Sequence, residues 1–129
     1  MSADTGDEQK GSILENELRQ AVEYRQQVLD ELGKRESKLA DIDKKIAEVE
    51  HEMASSNSSR EAVISEATAI IVADAFNRAL RRKLKMLKGT RAEVVESINM
   101  ARERLEDVDA EIAELESRLE NIENSTGEN

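Results

Sequence analysis

Few side chains in this sequence are of the kinds that make or break bonds, and the densest reactive group is a run of cations. Between Ala75 and Ala92 stand Arg78, Arg81, Arg82, Lys83, Lys85, Lys88 and Arg91, seven positive charges with no acid among them. Guanidinium and ammonium groups clustered in this way attract phosphate oxygens. A basic amphipathic helix therefore binds a nucleic-acid backbone or an anionic membrane, with an affinity that falls as salt rises. An acidic helix alongside would neutralise the same charges. The face bearing Glu15, Glu17, Glu23, Asp30 and Glu31 is such a counterpart, within the molecule or across a dimer, and the pairing would then select register. No aromatic interleaves the cations, which disfavours stacking on single-stranded bases. A formal net charge of −10 also repels nucleic acid at long range.

Acid–base and metal chemistry find little to work with. His51 is the single histidine, set between Glu50 and Glu52. One imidazole among exposed carboxylates lacks the clustered ligands a metal needs and reads as a solvated surface side chain. The pairs Asp107 with Asp109 and Glu111 with Glu114 belong to hydrated helix faces, where no enclosed pocket shifts a pKa. No G-x-x-x-x-G-K-S/T, G-x-G-x-x-G, G-x-S-x-G or H-E-x-x-H occurs. Zero Cys removes disulfides, thiolate zinc sites and a cysteine nucleophile. The expectation is a protein that is not an enzyme, with no metal, cofactor or small-molecule substrate.

The elements that must position these charges are helices. Of 129 residues 37% are charged, and there is no Pro or Trp and one Phe and one Tyr, so buried surface must come from Leu, Ile, Val, Ala and Met spread along seams. Leu14, Leu18, Ala21, Arg25, Val28, Leu32, Arg35, Leu39, Ile42, Ile46, Val49 and Met53 follow alternating three- and four-residue steps, the code of a helix seeking a partner helix. Ser12 with Glu15 forms a capping box at the start of that run. After Ala54 the polar cluster Ser55, Ser56, Asn57, Ser58 and Ser59 has turn-forming composition. A second seam then runs through Val63, Ile70, Ala73, Leu80, Leu84, Leu87, Val94, Ile98, Ala101, Leu105, Val108, Ile112, Leu115, Leu119 and Ile122, with Glu66, Asn77 and Arg91 as polar exceptions.

These signals predict an all-α fold, an elongated antiparallel coiled-coil helical hairpin that oligomerises. Its parts are a disordered acidic tail over 1–11, helix 1 over 12–54, a Ser/Asn loop over 55–59, helix 2 over 60–123 and a disordered tail over 124–129. Lys88-Gly89-Thr90 resembles a C-terminal glycine followed by an N-cap, with Glu93 completing a capping box, so a kink or break at 88–90 is an alternative that would give a three-helix bundle. The seam keeps phase through Gly89, which favours one continuous helix. Gly33 is the place where helix 1 would bend. At 1.5 Å per residue the two helices span about 63 and 95 Å. The longer would overhang by roughly 30 Å, leaving Leu105, Val108, Ile112, Leu115 and Leu119 as a partner-binding seam.

A second candidate surface is the apolar span from Ala62 to Phe76, where Ile64, Ala67, Ile71, Ala75 and Phe76 make a second face beside the seam. It reads either as a thickened core where three or more helices meet or as an exposed grip for a partner, with Ile64, Ile71 and Phe76 its chief residues. The β-branched Ile70, Ile71 and Val72 also suit a short β-element. In length, acid–base richness and paired seams the chain resembles small helical-hairpin proteins such as prefoldin chaperone subunits and the stalk-like escort proteins of type III secretion. No motif carries that resemblance, and the middle lacks the glycine-punctuated hairpins that prefoldin's strands require. The expected function is a coiled-coil interaction module: an assembly subunit, scaffold, adaptor or small chaperone-like protein in a homo-oligomer or hetero-complex. The alternative is binding of nucleic acid or an anionic membrane by 78–91. The polar N-terminus lacks the pattern of a signal peptide, and an intracellular, cytoplasmic location is expected.

Overall fold

The computed structural model describes the backbone of Ser2–Ala62 and Ala67–Gly127 and the side chains of residues 9–55 and 71–125. Within these limits the protein is all-helical. Helix α1 (Ser2–Ala62) and helix α2 (Ala67–Gly127) are 61 residues each and pack against each other as a hairpin. The later part of the apolar span opens α2, so Ile70, Ile71 and Val72 are helical and the β-element is not formed; a β-branched residue costs a helix less than about 0.7 kcal/mol relative to alanine, which a long helix absorbs. No helix among the described residues is long and apolar enough to cross a membrane.

The helices differ from expectation at their ends. α1 opens at Ser2, not at Ser12, so Ser12 lies inside a helix and does not cap one. Gly6 and Gly11 each cost a helix about 1 kcal/mol, but no proline precedes Ser12, so nothing in that stretch forbids the extension. α1 also continues through Ser55–Ser59 and ends at Ala62, so the Ser/Asn cluster is not the loop. Serine and asparagine cost a helix interior only about 0.5 kcal/mol each relative to alanine, and no Pro stands there to stop it. At the other end α2 runs on to Gly127, beyond the expected limit at 123.

α2 is unbroken at Gly89, which removes the three-helix alternative. Neither Gly33 nor Gly89 has a positive φ, so neither plays the left-handed role of a C-terminal glycine. The residue expected to start a new helix shows the same thing: the Thr90 hydroxyl donates a 3.0 Å hydrogen bond to the Met86 carbonyl, the back-bonding of a threonine within a helix.

Contacts divide the chain into two units, Met1–Gly33 with Asn99–Asn129 and Lys34–Ile98. In the first, Ala21, Val108 and Leu115 form a buried cluster with Leu14, Leu18, Leu105 and Ile112 packed against it, while Val28 and Ala101 are buried as well. In the second, Ile42, Val49, Leu80, Val94 and Ile98 are buried together with one polar residue, Asn77. Every one of these buried residues occupies a seam position. The polar exceptions on the seam reach across it: Arg25 pairs with Asp109 at 2.6 Å in the first unit, and Arg91 pairs with Asp43 at 2.6 Å in the second. Arg35 Nη1 donates to the Ser97 carbonyl at 2.8 Å, so its charged head leaves the seam while its stem covers it.

Candidate interaction surface

The C-terminal seam is occupied. Val108 and Leu115 are buried, Leu105 and Ile112 pack with them against Leu14 and Leu18 of α1, and Leu119 is half-buried. The expected overhang is therefore absent. Its premise was a turn at 55–59; with α1 ending at Ala62 and beginning at Ser2, the two helices are equal in length and the seam from Leu105 onward has an internal partner.

The apolar start of α2 behaves differently. Ile64 lies outside the described residues, but Ile71 and Phe76 are 65% and 49% exposed, as are two residues the sequence reading did not single out as a surface, Val72 at 63% and Met86 at 73%. No thickened core covers them among the described residues. Val72, Phe76, Ala79, Lys83 and Met86 follow one another at steps of four, three, four and three, each one residue ahead of the seam positions Ala73, Asn77, Leu80, Leu84 and Leu87. A helix turns about 100° per residue, so this stripe lies roughly a quarter turn from the seam and faces solvent. That spacing was the signal available in the sequence. It was obscured because Val72 sits in a β-branched run and Met86 stands among cations.

All seven basic residues of 78–91 are exposed; at 100° per residue Lys83 lies in this stripe and Arg82 beside it, whereas Arg78, Arg81, Lys85 and Lys88 lie on other faces and Arg91 on the seam. Arg78 Nε donates to the Asp74 carbonyl at 3.4 Å and Arg91 is held by Asp43. Of the acids expected to neutralise the run, Glu31 pairs with Arg104 at 3.5 Å. Charge is distributed unequally between the units: Lys34–Ile98 carries 13 basic and 11 acidic residues, and the rest of the chain 6 basic and 18 acidic.

An open groove of about 400 Å³ lies between Lys10, Ile13, Leu14, Arg118, Asn121 and Ile122, with Arg118 tied to Glu114 at 2.6 Å. Among the described residues no group of three or more His, Asp or Glu side chains could hold a metal ion. No protein-family model, curated protein or solved structure matches the chain.

Proposed function

We propose that this chain is a non-enzymatic interaction module, an assembly subunit or adaptor that binds protein through the outer face of α2. The observation that carries this reading is the exposure of Ile71, Val72, Phe76 and Met86, at 49–73%, on a helix whose seam is already filled. Large apolar side chains grouped on one surface keep their contact with water only at a cost, and a partner relieves it. The seam residues Leu105 to Leu119 take part by holding the hairpin together. A photo-reactive residue at Met86 is expected to cross-link a protein in cells, whereas the same residue at the exposed Ala113 does not. Absence of any protein adduct at Met86 refutes the reading.

The exposure of all seven cations supports a second reading, binding of nucleic acid or an anionic membrane by 78–91. Under it, the protein binds DNA, heparin or phosphatidylserine vesicles at low salt, and reversing Arg81, Arg82 and Lys85 to Glu abolishes that binding. No binding at low salt removes it.

A further inference from the structure

We infer that the solvent-facing stripe Val72–Phe76–Ala79–Lys83–Met86 is a second helix-packing seam, and that its occupant is the α1 stripe centred on Glu17 from a second copy of this chain. The inference rests on the protein-binding reading above and names the partner. Apolar side chains at alternating three- and four-residue steps are the pattern by which a helix accepts another helix along its length, and here the pattern repeats beside a seam that α1 already fills.

Charge selects the occupant. Lys83 lies in the stripe and Arg82 borders it, both exposed. A second copy of the same stripe would set these cations against their like, which opposes a self-complementary contact. The favoured counterpart sets an acid between apolar residues at the same spacing. α1 has one: Ile13, Glu17, Gln20 and Tyr24 follow at steps of four, three and four, each one residue ahead of the seam positions Leu14, Leu18, Ala21 and Arg25. Ile13 is 59% and Tyr24 44% exposed, and Glu17 stands exposed between them. The stripe belongs to the unit in which 18 acidic residues face 6 basic ones. Apolar contact supplies attraction, while the acid-to-base match sets which stripe meets which.

The test is a charge swap on the full chain, read by sedimentation and by light scattering after size exclusion. Wild-type protein is expected to associate at micromolar concentration, as a two-fold pair or a longer head-to-tail series, and to dissociate progressively as salt rises. Lys83→Glu alone and Glu17→Lys alone should each weaken association at least about tenfold, because each sets like charges together in its own assembly. An equimolar mixture of the two should restore it, since the carboxylate introduced in one chain then meets the ammonium introduced in the other, while the unchanged residues match as before. Both positions are exposed, so circular dichroism should show unaltered helicity and separate lost association from lost folding. A wild-type monomer at high micromolar concentration overturns the inference, as does association that neither substitution alters or that mixing fails to restore. If the wild type is monomeric and Met86 cross-links a different protein, the second copy is refuted while the protein-binding reading stands. A monomer that binds phosphatidylserine vesicles through Lys83, with no protein adduct, refutes both.

Discussion

Replacing Gly89 with alanine tests whether α2 is one helix, because the sign of the effect differs between the two architectures. In the structure Gly89 lies inside α2, its φ is not positive, and a Cβ built on it meets nothing within 4 Å. Alanine then adds no clash and removes the extra backbone freedom that glycine surrenders on folding, a gain of about 0.5–1 kcal/mol. For 129 residues the unfolding entropy near the midpoint is about 0.27 kcal/mol/K, at about 2.1 cal/mol/K per residue, so Tm should rise by roughly 2–4 °C. Had the helix ended at Lys88 with Gly89 in the left-handed region, the new Cβ would be strained and Tm would fall, by more than this gain. A circular dichroism melt at fixed protein concentration measures the shift, concentration being held because association raises apparent stability. A fall in Tm refutes the continuous helix. Gly33→Ala, equally open, should move Tm upward in the same way.

Three further outcomes follow from burial and pairing. Leu115→Asp places a carboxylate in the buried cluster with Ala21 and Val108 and should cost several kcal/mol in a denaturant melt, where an unchanged midpoint would show that this seam is not packed. Arg25→Ala and Arg91→Ala each remove a cross-helix ion pair whose partners are 40–48% exposed, so each should cost less than about 1 kcal/mol, less still in high salt. Asn77→Leu exchanges the one buried polar residue of the described core for an apolar one and should raise stability by about 1 kcal/mol in the same melt, while loosening the choice of register that a polar seam residue imposes.

The fold was legible to the extent that apolar periodicity governs it. Val28, Val49, Ala101 and Val108, among the most deeply buried side chains, all stand on the seam that three- and four-residue spacing traces. The turn was not legible, since five serines and asparagines lower helix propensity by amounts that a long helix absorbs, and only proline would have stopped it outright. That misplacement propagated into the site: with the turn drawn too early, Leu105 to Leu119 lacked a partner on paper and looked like a docking surface. The cations of 78–91 could be read from composition alone. Their apolar companions Val72 and Met86 could not be assigned in the same way, because whether a residue faces solvent depends on which side of its helix the partner takes.

Arg25 with Asp109 and Arg91 with Asp43 do more than their small energies suggest. An apolar seam is nearly indifferent to a slide of one whole repeat, because leucine and valine meet leucine and valine again seven residues on. The two arginines respond differently. A slide of seven residues moves each carboxylate away by about 10 Å; Arg91 then meets Glu36 or Glu50, but Arg25 meets Glu116 in one direction and Arg102 in the other. The Arg25 clip therefore acts as a ratchet on otherwise smooth rails, opposing the slide that sets two guanidiniums together.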